Sequence, residues 1–147
     1  MDNFSPVEIL IVEDNPADAE LAINALKKNS LANSLFVAED GEEALDFIFS
    51  RGKFKKRNYI KNLKVVFLDL KLPKINGLEV LKEIKSNEST KFLPVVVVTS
   101  SAEDPDIKAA YELGANSYVI KPVDFDAFFK AMGTTGLYWL LVNESPR

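Results

Sequence analysis

The chain has 147 residues, 47% of them hydrophobic and 27% charged, and carries a formal net charge of −4. This is the length of one domain with a full core, and the acidic balance weighs against a dedicated nucleic-acid binder. Cysteine and histidine are both absent. Disulfides, thiolate zinc sites, Ser-His-Asp and Cys-His catalysis and an internal phosphohistidine are therefore excluded. A metal would need oxygen ligands, which favours a hard ion such as Mg²⁺.

The elements follow in chain order. Glu8–Val12 (EILIV) reads as a buried strand. Ala17–Lys28 reads as a helix, with Pro16 near its start and Leu21, Ala22, Ala25 and Leu26 on one stripe. Leu35–Ala38 (LFVA) is a strand nearer an edge, and Glu42–Ser50 is a helix followed by Gly52. Arg51–Lys64 holds seven Lys or Arg and no acid, as a solvated loop or a docking surface for an acidic partner. Val65–Leu68 (VVFL) is a strand, Leu78–Lys85 a helix and Val95–Val98 (VVVV) a strand. Pro105–Leu113 is a helix with Asp104 as N-cap and Gly114 as its stop. Ser117–Ile120 (SYVI) is the last strand. Asp124–Met132 is the last helix, directing Phe125, Phe128, Phe129 and Met132 to the core. Beyond Gly133, the run Gly136–Val142 (GLYWLLV) is harder to bury in a small domain and points to an interface.

The strand runs lack polar alternation, as expected when helices cover both faces of a parallel sheet. Alternating strands and helices give an α/β, doubly wound fold. Its ligand site lies beyond the C-terminal strand ends. No apolar stretch approaches the roughly 20 residues of a membrane span, and no signal peptide is visible. The expectation is a cytoplasmic protein with no membrane and no nucleic-acid partner.

Four strand ends carry chemistry: Glu13-Asp14, Asp69, Thr99-Ser100 and Lys121-Pro122. Any one of these is ordinary loop polarity. Together they are the parts for phosphoryl transfer to a carboxylate. The transition state spreads charge over three oxygens. Clustered carboxylates call for a divalent cation, a Lys supplies fixed positive charge, and a Thr hydroxyl donates to a remaining oxygen.

These pieces resemble two-component receiver domains over roughly residues 7–132. The matching segments are Ile9–Asp14 (ILIVED), Val65–Pro73 (VVFLDLKLP), Asn76-Gly77, Val95–Ser101 (VVVVTSS), Gly114-Ala115 and Tyr118–Pro122 (YVIKP). The resemblance implies a flavodoxin-like, five-stranded sheet of order 2-1-3-4-5 with five helices. It implies one receiver domain over 1–147, with an aromatic extension from 133 to 147. Asp69 would be the phosphoacceptor. Glu13, Asp14, Asp69 and the backbone carbonyl of Lys71 would hold Mg²⁺ or Mn²⁺. Thr99 and Lys121 would contact the phosphoryl group, Thr99 and Tyr118 would form the switch, and the Lys121-Pro122 bond would be cis. The activity implied is that of a single-domain phosphorelay response regulator. It would catalyse its own phosphorylation and dephosphorylation without separate substrate turnover, and signal through the surface of helix 4, strand 5 and helix 5. The basic segment and aromatic tail resemble the small regulators that partner cyanobacterial phytochrome-type histidine kinases. A sensor histidine kinase is the expected partner, with homodimerisation through the last helix and tail. Lys71, bulky beside the acceptor, would shield the acyl phosphate.

Two rivals share parts of this pattern. A phosphatase of the haloacid dehalogenase type requires a second Asp two residues after the nucleophile, where Lys71 stands. A flavodoxin-like cofactor binder requires a phosphate loop after the first strand, where Glu13-Asp14-Asn15 stands.

Overall fold

The computed structural model describes residues 7–29, 34–122, 124–144 and 146. The expected domain limits, 1 and 147, lie outside them. Five strands form one sheet: β1 Ile9–Val12, β2 Leu35–Ala38, β3 Val65–Leu68, β4 Val95–Thr99 and β5 Ser117–Ile120. The order is β2-β1-β3-β4-β5, with every pairing parallel. The helices are α1 Pro16–Lys28, α2 Gly41–Phe49, α3 Gly77–Ser86, α4 Asp104–Glu112 and α5 Phe125–Leu137. The α/β doubly wound expectation holds, element by element.

The sheet separates two apolar layers. On one face Leu10, Val12, Val66, Leu68, Val95 and Val97 pack with Leu45, Ile48, Leu81, Ile84 and Ala110 from α2, α3 and α4. On the other, Ile9, Ile11, Val65, Phe67, Val96 and Val98 pack with Ala22, Ala25, Leu26, Phe128 and Met132 from α1 and α5. β1, β3 and β4 are buried along their whole length, which is why their sequences show no alternation. β5 is half-exposed and ends at the exposed Ile120.

Four expectations are corrected. Asp104 is the first helical residue of α4, not its cap. Glu103 is the N-cap, and the Ser101 hydroxyl accepts the Glu103 N–H at 3.3 Å. Phe125 is 60% exposed, because the stripe that meets the sheet begins one turn later at Phe128. No cis peptide bond occurs among the described residues, so Lys121–Pro122 is trans, the form an X–Pro bond prefers by about 0.5–1 kcal/mol. Finally, Gly133 and Gly136 do not end the last helix, which runs to Leu137 and then takes one π-helical turn over Tyr138–Val142. Both glycines are buried. A Cβ on Gly133 would lie 2.6 Å from the Asn29 amide nitrogen, which donates to Ala25 O of α1 at 3.0 Å. Gly133 thus serves close approach of α1 and α5, and neither glycine terminates the helix.

The tail therefore divides. Leu137, Trp139 and Leu140 pack against the α1–α5 layer. Tyr138, Leu141 and Val142 face outward, the last two 69% and 67% exposed. The basic segment also divides. Phe54 is buried against Phe36 and Phe47, with centroids 5.5 and 5.3 Å away. Lys53 pairs with Glu43 at 2.9 Å and Lys64 with Glu8 at 3.1 Å. Lys55, Lys56 and Lys61 remain exposed.

Lys85 stitches the far end of the domain. Its ammonium donates to Leu93 O at 2.7 Å, Asn116 Oδ1 at 2.9 Å and Lys91 O at 3.2 Å, joining α3 to the approaches of β4 and β5. Burial among neutral acceptors lowers its pKa to about 8. Between that value and the unfolded value near 10.5 only the unfolded chain holds the proton, so this group makes stability rise with pH across that window. Lys85→Met should be less stable than the wild type, with a deficit that widens from pH 7.5 to pH 10. Urea unfolding of both proteins at each pH checks this, and a constant or shrinking deficit would contradict it.

Candidate functional site

The sheet register brings the polar strand ends level. Val12 pairs with Leu68, Leu68 with Val97, and Thr99 with Ile120. The first residues past β1 and β3 are Glu13 and Asp69, and the Asp69 amide donates to Val12 O at 3.1 Å. The Lys121 amide donates to Thr99 O at 2.7 Å, so the chain leaves β5 alongside the end of β4. The rim expected from sequence is thus built by hydrogen-bond register.

Lys121 is its centre. The ammonium reaches Glu13 Oε1 at 2.6 Å, Asp18 Oδ2 at 2.8 Å and Asp69 Oδ2 at 3.0 Å. Its three N–H groups match three carboxylates, and its side chain is only 10% exposed. Burial alone would lower its pKa, but the carboxylates of Asp18, Glu13 and Asp69 outweigh burial and hold it above the ordinary value. Burial, reinforced by the Asp69 charge, pushes the Glu13 carboxyl up to about 7 against the pull of Lys121.

Glu13, Asp14 and Asp69 each present a carboxylate oxygen within 4.8 Å of the others. Two like charges 4 Å apart repel by about 4 kcal/mol at an effective dielectric of 20, so this oxygen cluster suits a divalent hard cation. Glu13 and Asp69 are buried, whereas Asp14 faces solvent. The backbone at Lys71 lies beside Asp69, its N–H donating to Asp69 Oδ1 at 3.3 Å. The side chain of Lys71 is exposed.

Thr99 is fully buried, and among the described residues its hydroxyl is the one buried side-chain polar atom without a hydrogen-bond partner. Such a group costs about 1–3 kcal/mol, and it persists where a ligand completes it. Tyr118, on the adjacent strand, is partly buried. Its hydroxyl donates to Ser101 O at 3.0 Å, and its ring lies 6.5 Å from that of Tyr111 on α4. Burial raises its pKa, so the phenol stays protonated.

Backbone packing holds Asp69 in place. Gly77, the first residue of α3, would carry a Cβ 2.3 Å from Asp69 O and 2.5 Å from Leu70 Cα, and its own N–H donates to Leu70 O at 2.8 Å. Only a residue without a side chain allows α3 to start against the end of β3. The Asn76-Gly77 pair noted in the sequence is therefore a cap, with Asn76 Oδ1 accepting Glu79 N–H, followed by a close approach.

Two participants were not read from the sequence. Asp18 is an acid in the first turn of α1, a place where the helix dipole favours any acid. Ser101, at the end of the matching segment Val95–Ser101, receives no role of its own from the resemblance, and its hydroxyl donates to Asp106 at 2.5 Å. Neither carries a distinguishing local signal.

Residues 9–132 match the family described as the response regulator receiver domain. The chain belongs to that family. The receiver is 38% identical to the probable methanogenesis regulatory protein FilR2 of Methanothrix harundinacea over 141 residues, 96% of this chain and 88% of the relative. It is 37% identical to the response regulator Rcp1 of Synechocystis, over 92% of this chain and 90% of the relative. The structure of the Mn²⁺-bound form of Rcp1 superposes with a TM-score of 0.88, covering 97% of this chain and all of the other. The phosphorylated cyanobacterial phytochrome response regulator RcpA superposes with the same TM-score at 32% identity and the same coverage. The receiver's fold class and phosphorelay function follow from this membership, and no described helix is long and apolar enough to cross a membrane.

Proposed function

We propose that this receiver is a cytoplasmic single-domain response regulator that takes a phosphoryl group on Asp69 from a sensor histidine kinase of phytochrome type. One observation carries the reading: three carboxylates converge on the Lys121 ammonium beside a buried Thr99 hydroxyl that lacks a partner. A carboxylate oxygen of Asp69 attacks phosphorus as the bond to the donor nitrogen breaks. Lys121 already touches Asp69 Oδ2 and holds a fixed charge where the phosphoryl oxygens develop theirs. Glu13, Asp14 and Asp69, with the backbone carbonyl of Lys71, would hold Mg²⁺ or Mn²⁺, which when bound neutralises phosphoryl oxygens and orients the donor. The Mn²⁺-bound form of Rcp1 and the phosphorylated form of RcpA, both similar along nearly the whole chain, support this reading.

The same atoms supply a switch. A full shift from 1:99 to 99:1 needs about 5.5 kcal/mol of differential stabilisation. Giving the Thr99 hydroxyl an acceptor recovers about 1–3 kcal/mol, and a charge-assisted bond from Lys121 adds a similar amount. Displacement of Thr99 is transmitted to Tyr118, whose hydroxyl is anchored on the connection leading to α4. The surface that changes carries the exposed Tyr111, Ile120 and Phe125.

Mg²⁺-dependent phosphorylation by a small acyl phosphate checks the acceptor. The wild type should incorporate one phosphoryl group and Asp69→Asn none, and incorporation surviving in the variant would sink the assignment. Lys71 is exposed next to the modified carboxylate and shields it from water. Lys71→Asn should shorten the acyl phosphate lifetime severalfold, and an unchanged or longer lifetime would contradict that role.

The receiver also forms a homodimer through α5 and its π-helical extension. Tyr138, Leu141 and Val142 present apolar surface there, while Leu137, Trp139 and Leu140 anchor the segment to the core. An exposed apolar cluster on a well-anchored helix marks an interface. Light scattering should give a dimer mass for the wild type at micromolar concentration and a monomer mass for Leu141→Glu combined with Val142→Glu. A monomeric wild type would overturn the proposal.

A further inference from the structure

Lys121 has three N–H donors and three carboxylate partners, but the partners differ in what else the reaction asks of them. Glu13 and Asp69 belong to the oxygen cluster suited to a cation, and Asp69 is also the acceptor. Both therefore carry a second task that competes with their bonds to Lys121. Asp18 lies outside that oxygen cluster and is not modified. Its bond to the ammonium, at 2.8 Å, is therefore the one that need not change through the cycle.

The position of Asp18 is itself well determined. Asn15 caps α1, its Oδ1 accepting from Ala17 N at 2.9 Å and from Asp18 N at 3.1 Å, and Pro16 starts the helix. The backbone of Asp18 is thus pinned at the helix N-terminus, and α1 is packed on α5 through Ala25 and Gly133. Lys121, by contrast, lies just past half-exposed β5 on a long flexible side chain.

We propose that Asp18 is a positioning residue that holds the Lys121 ammonium in the site while Glu13 and Asp69 are engaged elsewhere. The negative charge of Asp18 works against the approach of an anionic donor, so its value lies in the hydrogen bond it accepts and not in its field. An Asn side chain keeps an oxygen acceptor and loses the charge, whereas Ala loses both. The inference rests on Asp69 as acceptor.

The test compares wild type, Asp18→Asn, Asp18→Ala and Asp69→Asn as full chains. Phosphorylation by acetyl phosphate at saturating Mg²⁺ is followed over a range of donor concentrations, which separates donor affinity from maximal rate. The Lys121 ammonium is observed in parallel by side-chain ¹H–¹⁵N NMR, in the metal-free protein and with Mg²⁺ and beryllofluoride. Asp18→Ala should lower the maximal rate roughly tenfold, a part of the roughly hundredfold that a misplacement of about 1 Å can cost. It should also lose the exchange-protected ammonium signal in the beryllofluoride complex. Asp18→Asn should restore both, to within about threefold in rate. A wild-type maximal rate in Asp18→Ala, or equal impairment of the Asn and Ala variants, overturns the proposal. Incorporation in Asp69→Asn overturns instead the acceptor assignment on which it rests.

Discussion

Carboxylates from three separated stretches of chain meet on one ammonium. Glu13 follows β1, Asp18 opens α1, Asp69 follows β3, and all three lie within 3.0 Å of Lys121 Nζ. Without that ammonium the rim would hold several anions in a confined space, a cost of several kcal/mol. With it, the acids are held close enough to receive a divalent cation. The same contact ties the loop after β5 to the opposite side of the sheet's switch point, so electrostatics and topology act at one place.

The sheet makes that contact possible by register. Parallel pairing sets β1, β3 and β4 level over their apolar residues, and each strand becomes polar at its C-terminal end while still buried, at Glu13, Asp69 and Thr99. This part was legible in the sequence because fully buried parallel strands leave unbroken apolar runs, and the residue after each run is then at the C-terminal rim. Glu13, Asp14, Asp69, Thr99 and Lys121 were found that way. Asp18 was not, because its role depends on where the Lys121 side chain extends, and no local pattern encodes that. Tyr118 was legible only through family resemblance, and its bond to Ser101 O emerges from the fold.

The C-terminal segment shows a different limit. Glycine in a helical pattern reads as a stop, yet Gly133 and Gly136 both lie inside α5, and Gly133 sits where α1 and α5 approach closely. Helix propensity lost at Gly133, about 1 kcal/mol, is offset by packing that only a neighbouring helix supplies. The continued helix changes the meaning of the aromatic run. Trp139 and Leu140 pack, partly buried, against the domain's own core, and the exposed apolar surface reduces to Tyr138, Leu141 and Val142.

The bond proposed here joins phosphorus to a carboxylate oxygen of Asp69, beside Lys121 and the unpartnered Thr99 hydroxyl. Borohydride reduces an acyl phosphate to an alcohol and converts the modified aspartate to homoserine. Peptide mapping by mass spectrometry after phosphorylation and reduction should therefore find that conversion at residue 69 alone. Conversion at Asp14 or Asp18, with Asp69 unmodified, would contradict the account.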